Sequence, residues 1–153
     1  TSAAHCAAAL LCGDRVLAAS AEEMGKGQAE RLMPLLQSIL TEANKNWGDL
    51  DAIGVGVGPG NFTGIRISVS AARGLALALD IPAVGVSTFE ATSFDHNEDH
   101  VATVPAPRDQ FYTCEPGGLP RLEIGPVETD KLVRLPPTAL RLAEKNIAAK
   151  TFL

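Results

Sequence analysis

Aromatic residues make up only 5% of the 153-residue sequence, and tryptophan and tyrosine occur once each. Any core built from this chain is therefore aliphatic and alanine-rich. Cysteine is scarce and odd in number: Cys6, Cys12 and Cys114 cannot all pair, and no two have zinc-finger spacing. Their apolar surroundings predict buried, reduced thiols in a cytosolic protein. Positive charge is short, with 13 Lys and Arg against 18 Asp and Glu and a net charge of −5. The whole-chain field repels nucleic acid, although a local basic patch is compatible with it. No apolar run has the length of a membrane span. Residues 1–21 lack the basic start and cleavage site of a secretory signal. What is present is ordinary globular composition, 46% hydrophobic and 20% charged. That excludes a disordered chain, and the length corresponds to one domain or two small halves sharing a core.

The chain opens on Thr1-Ser2 and runs into two strand-like segments, His5–Cys12 and Arg15–Ala21, joined by Gly13-Asp14. That is a hairpin signal. From Gln28 to about Asn44 the apolar positions Leu32, Leu35, Leu36, Ile39, Leu40 and Ala43 repeat at helical spacing. Pro34 predicts a kink or a late start, and Ala29 and Met33 widen the apolar surface beyond one stripe. Ala52–Val57 reads as a strand with glycine at alternate positions, which bares one face for close approach. Gly58-Pro59-Gly60-Asn61 forces a turn, and a helix rich in small residues follows from about Thr63 to Leu79. Gly74 is costly in a helix interior, so a packing reason is expected there. Ile81–Val86 reads as a buried strand, and Ser87-Thr88-Phe89-Glu90 has capping-box spacing for a third helix. The order implies an α/β domain with antiparallel and parallel strands mixed. Beyond the charged linker Asp95–His100, a short proline-rich part offers strands at 101–104, 110–115 and 122–127 and a final helix at 140–150.

Three constellations bear on chemistry. The segment Gly54–Gly74 joins a strand, a glycine-rich turn and a helix start, the makings of an anion nest. It matches neither nucleotide fingerprint: no Lys follows, and Thr63 stands where G-x-G-x-x-G needs its third glycine. A tight turn that seats the helix on the sheet explains the same residues. His96 and His100 stand four apart with acids between them, but in the wrong order for H-E-x-x-H. A solvated linker is the better reading, and His5, inside an apolar strand, reads as structural. No Ser-His-Asp or Cys-His arrangement can be defended. Finally, Leu32, Leu35, Leu36, Ile39, Ile65, Val69 and Leu77 cannot all face one sheet. The two helices either simply cover the sheet or also present an outer apolar face to another protein.

At Gly56-Val57-Gly58-Pro59-Gly60-Asn61-Phe62-Thr63-Gly64-Ile65-Arg66 the sequence resembles the bacterial TsaB (YeaZ) family. The family pattern is G-x-G-P-G-S-F-T-G-x-R, followed by A-[RK]-G-L-A, here Ala72-Arg73-Gly74-Leu75-Ala76. Gln28-Ala29-Glu30-Arg31-Leu32-Met33-Pro34 is similar to H-S-E-x-L-L-P, with Gln28 in place of His. Ile81–Ala91 is similar to I-P-V-V-G-V-S-T-L-E-A, and Thr1-Ser2 to the end of an opening D-T-S. The resemblance is good over 1–91 and weak beyond.

The resemblance implies an actin-like, ribonuclease-H-like α/β fold of two lobes: 1–91, and a reduced or incomplete second lobe at 92–153. It implies a first strand and an aspartate before Thr1. It also implies a non-catalytic, cytoplasmic subunit that binds and activates a TsaD-type partner, which makes threonylcarbamoyladenosine beside the tRNA anticodon. A TsaE-type ATPase would be the third component, tRNA would be met only through the complex, and the lone chain would be a homodimer. The implied interface is Gln28, Arg31, Leu32, Leu35, Leu36, Ile39, Ile65, Arg66, Val69, Arg73 and Leu77. Gly58, Pro59, Gly60 and Asn61 would be a vestigial phosphate loop, with no cofactor and no metal. The sister family TsaD carries metal-binding histidines in V-N-H-L-E-G-H, and the matching positions here are Thr88 and Thr92. A hydroxyl is a poor substitute for imidazole as a divalent-metal ligand. Pro105-Ala106-Pro107-Arg108 stands where the family has D-A-R. The alternatives are a nucleotide-binding actin-like ATPase or phosphotransferase and, last, a peptidase of the M22 metallopeptidase type.

Overall fold

The computed structural model describes residues 1–94 and 96–136. The helix expected at 140–150 and the start of the linker at Asp95 lie outside the described residues.

The hairpin forms as its turn chemistry dictates. β1 (His5–Cys12) and β2 (Arg15–Glu23) pair antiparallel, and Gly13 makes the reversal at φ +56°. Alternation then sends Cys6, Ala8 and Leu10 to one face, where α1 (Gln28–Glu42) lies across them. α1 buries Leu32, Leu35, Ile39 and Leu40, the stripe its 3.6-residue periodicity selects. Leu35 is only 1% exposed, and burying a leucine is worth about 1.5–3 kcal/mol. Pro34 neither delays nor ends the helix, which begins at Gln28 and carries the proline inside it. Pro34 itself is exposed.

β3 (Ile53–Gly58) and β4 (Ala83–Ser87) pair parallel, connected by α2 (Phe62–Leu79). Gly85 leaves room for Val57, whose Cγ1 would lie 2.9 Å from a Cβ added there. α2 has the length and composition to cross a membrane, which the sequence reading of apolar runs did not allow for. Its sides are not uniform: Gly64, Ala72 and Ala76 are buried, while Arg66 and Arg73 are exposed. An arginine at a bilayer midplane costs about 2.5–3.5 kcal/mol. Among the described residues the packing reason expected for Gly74 is absent: it is exposed, and a Cβ added there meets none of their atoms within 4 Å.

α3 (Thr88–Ser93) opens on the capping box the sequence predicts. Ser87 Oγ accepts from the Glu90 N–H, and the Glu90 carboxylate accepts from the Ser87 N–H. Phe89 then packs on Ala102 and Val104 of β5 (His100–Ala106), an inner strand of a third sheet. That sheet runs in the order β7 (Arg121–Ile124), β6 (Gln110–Cys114), β5, β8 (Leu132–Arg134). Pro105 is tolerated inside β5 because β8 pairs only with His100–Ala102. Its missing N–H therefore takes nothing from that ladder. β8, only three residues long, has no counterpart in the sequence reading.

β1 and β3 do not pair with each other. Between them lies a cavity of about 660 Å³ lined by Ala7, Ala9, Leu11, Gly54 and Gly56 among others. Among the described residues, β1 pairs only with β2, and β3 only with β4.

The thiols depart from expectation in one respect. Cys6 is buried and Cys114 half-buried, but Cys12 is exposed beside the hairpin turn. All three are free.

Candidate functional site

The glycine-rich loop between β3 and α2 is held by the chain's own first residues. The Asn61 N–H donates to the Ser2 carbonyl at 2.6 Å, and the Thr1 hydroxyl donates to the Gly64 carbonyl at 2.6 Å. Asn61 also caps α2, its Oδ1 accepting from the Gly64 N–H at 2.9 Å. The glycines follow from this approach. A Cβ on Gly60 would lie 2.5 Å from the Ser2 carbonyl oxygen, and one on Gly64 only 1.6 Å from that of Thr1. Gly58 sits at φ +94°, where only glycine is at ease. Two of the donors an anion would use, the N–H groups of Asn61 and Gly64, are thus engaged inside the chain.

The two threonines at the positions of the sister family's histidines are also engaged. The Thr88 hydroxyl donates to the Pro59 carbonyl at 2.9 Å and the Thr92 hydroxyl to the Thr88 carbonyl at 2.7 Å. Both residues are buried. Each bond uses the proton to fasten α3, Thr88 to the loop and Thr92 within the helix, so the pair does not fit a metal. Among the described residues, no three His, Cys, Asp or Glu converge on a metal position.

The histidine pair is not a solvated linker throughout. His100 is fully buried at the start of β5, its Nδ1 2.8 Å from the Glu98 carbonyl and its Nε2 2.8 Å from Ser93 Oγ. His96 meets Arg134 Nη1 at 3.3 Å, and Arg134 also pairs with the Glu98 carboxylate. His100 thus ties β5 to α3, while His96 reaches Arg134 of β8. His5 is buried, and desolvation holds its imidazole below the ordinary 6.5.

The expected interface residues separate by depth. Leu32, Leu35 and Ile39 lie in the chain's own core beneath α1, so they are corrected from outer face to inner face. Leu36 is half-buried against the same cluster. Gln28 Nε2 donates to the carbonyls of Ala3 and Met24, both at 3.3 Å. Arg31 forms a two-pronged pair with Glu22 of β2, at 2.7 and 2.5 Å. The guanidinium holds the Glu22 carboxyl below its usual range. These two residues fasten the start of α1 to the hairpin. Ile65 and Val69 are half-buried, whereas Arg66, Arg73 and Leu77 stand outside, Leu77 at 85% exposure.

Two outer residues were missed as site candidates. Phe62 is 69% exposed with the Arg66 guanidinium 4.7 Å from its ring centre, and Met33 is 41% exposed. Ala29 and Met33 of α1 face Thr63, Arg66 and Ser70 of α2 across a shallow groove. A helical wheel of α2 would have shown Phe62 on the side of Arg66 and Arg73.

Residues 21–131 match the family model described as TsaD: tRNA N6-adenosine threonylcarbamoyltransferase. The fold is that of YeaZ from Pseudomonas aeruginosa, with TM-score 0.77 at 26% identity over 97% of this chain and 86% of that one. The chain belongs to the TsaB (YeaZ) branch of the TsaD family. The Escherichia coli protein named tRNA threonylcarbamoyladenosine biosynthesis protein TsaB is 39% identical over 88 residues, covering 58% of this chain and 38% of that protein. Its Bacillus subtilis namesake is 37% identical over 108 residues, covering 69% of this chain and 47% of that one. The chain therefore spans less than half the length of these two curated relatives. Another Pseudomonas aeruginosa structure, titled an uncharacterized protein with similarity to peptidase YEAZ, aligns with TM-score 0.76 at 26% identity, covering 97% of this chain and 88% of that one. The word peptidase is that title's own and describes a similarity of that protein.

Proposed function

We propose that this chain is a non-catalytic docking subunit in the synthesis of threonylcarbamoyladenosine on tRNA. It binds and activates a TsaD-type subunit through the outer faces of α1 and α2, carried on an N-terminal lobe at 1–91. A TsaE-type ATPase is the third component, tRNA is met through the assembly, and the lone chain is a homodimer through the same surface until the partner displaces the second copy.

The observation that supports this reading is the outer face of α2. Phe62, Arg66, Arg73 and Leu77 are all exposed on a helix that buries Gly64, Ala72 and Ala76 on its inner side, and Arg66 also lines the groove to α1. Phe62 at 69% and Leu77 at 85% exposure frame the two arginines there, and aromatic and arginine side chains are the ones interfaces favour. The loop that would serve an ATPase has Asn61 and Gly64 turned to internal partners.

The test is size-exclusion chromatography with light scattering, on the chain alone and mixed with TsaD from the same organism. A one-to-one complex is expected. Val69→Glu or Leu77→Glu should abolish it with the circular dichroism unchanged, because each places an unmated charge in the contact. Leu36→Glu is not a clean probe, since Leu36 packs on the core. Failure to form a complex, together with nucleotide retained by the lone chain, would overturn the reading in favour of an enzyme.

A further inference from the structure

We infer that the outer face of α2 selects a partner helix bearing two carboxylates one heptad apart, in preference to a second copy of this chain. The inference rests on the docking reading above and adds the partner's charge pattern.

Phe62, Arg66, Ser70, Arg73 and Leu77 fall at i, i+4, i+8, i+11 and i+15, a single stripe along the helix, and all five are exposed. Arg66 lies over the Phe62 ring, which orders its guanidinium before any partner arrives. Arg73 has no ion pair or hydrogen bond among the described residues. α2 itself contains no acidic residue; Asp80, the C-cap, is the next one in the chain. In a protein of net charge −5 this stripe is a local inversion of sign. Seven residues separate the two arginines, about 10.5 Å along the axis.

An apolar partner would bury both charges without mates, which is costly. A second copy fares little better. In antiparallel self-pairing about a two-fold axis midway between them, Arg66 of one copy meets Arg73 of the other, twice. Juxtaposed like charges oppose association. A helix with Asp or Glu at i and i+7, and small apolar residues between, mates both arginines while covering Phe62 and Leu77. Nucleic acid would also supply anions, but the apolar ends of the stripe and the whole-chain charge favour protein.

The experiment measures the association rate with TsaD from the same organism at low and high salt. Arg66→Glu/Arg73→Glu should slow association at least tenfold at low salt and less at high salt, with the fold intact by circular dichroism. Arg66→Lys/Arg73→Lys should keep most of the rate. The single change Arg73→Glu should strengthen self-association of the lone chain while weakening the complex. If the double glutamate variant associates as fast as the unaltered chain, the charge pattern is refuted and the docking reading stands. If the unaltered chain forms no complex, the docking reading itself falls. If Arg73→Glu weakens self-association too, the preference over a second copy is refuted. Tight binding of tRNA by the lone chain, lost in the double variant, would assign the stripe to RNA instead.

Discussion

Two glycines on α2 make opposite predictions from the same substitution. Gly→Ala in a helix interior ordinarily stabilises by roughly 0.5–1 kcal/mol, by restricting the unfolded chain. At Gly74 nothing among the described residues lies within 4 Å of the added Cβ, so Gly74→Ala should realise that gain. At a chain length of 153 residues this is a rise in Tm of about 2–4 °C per kcal/mol. At Gly64 the same methyl would lie 1.6 Å from the Thr1 carbonyl oxygen and 2.8 Å from its carbon. That segment cannot simply withdraw, because the Thr1 hydroxyl holds the Gly64 carbonyl and the Ser2 carbonyl holds the Asn61 N–H. Gly64→Ala should therefore lose the propensity gain and a further 1–3 kcal/mol or so of overpacking strain. Urea unfolding followed by far-UV circular dichroism measures both, provided the m-value is shared. A Gly64→Ala variant as stable as the unaltered chain would show that the Thr1–Ser2 backbone does not rest on the loop. A destabilised Gly74→Ala would show that the outer side of α2 is already covered in the lone chain.

Leu35→Ala should cost about 2–5 kcal/mol in the same assay, whereas Leu77→Ala should leave stability within about 0.5 kcal/mol and weaken the complex. Among the described residues Thr103 Oγ1 is buried without a hydrogen-bond partner, so Thr103→Val should stabilise by about 1 kcal/mol in thermal unfolding; a loss would reveal a partner for the hydroxyl. His5 binds its proton less readily folded than unfolded, chiefly through desolvation. Its contribution is complete above about pH 6.5 and is lost as pH falls through that value. His5→Gln should flatten stability against pH as the pH falls below about 6.5, and an unchanged slope would exclude His5 as its source.

The first 91 residues were legible because local signals and tertiary packing agree there. Gly13-Asp14, the Leu32–Ala43 periodicity and the Ser87–Glu90 capping box each name one structure, and that structure forms. Past that point the signals thin out. β8 is three residues long and forms only because β5 offers it an edge, a fact of tertiary position that local pattern does not carry. His100 looked solvated because its neighbours are polar, yet Ser93 and the Glu98 carbonyl bury it. The site was half legible for a related reason. Periodicity shows that a helix has more apolar residues than one face can use, but not which of them the sheet takes. Leu32, Leu35 and Ile39 went inward because the hairpin lies directly beneath α1, leaving Phe62, Arg66, Arg73 and Leu77 outside.

The loop and the third helix show how much of the glycine motif the fold alone requires. The residues that define Gly58–Gly64 are ones a tight backbone approach requires: a positive φ at Gly58 and contact with Thr1–Ser2 at Gly60 and Gly64. None of those requirements needs a ligand. Thr88 joins the same network through the Pro59 carbonyl. Replacing it with an imidazole would remove a buried hydroxyl donor without supplying a second ligand, since Thr92 is committed to the Thr88 carbonyl. Selection on the fold alone is then enough to retain the glycines, because each is the only residue that fits its contact. What it leaves unexplained is an exposed Phe62, Arg66, Arg73 and Leu77 in one line on α2, and those are the residues a binding partner must account for.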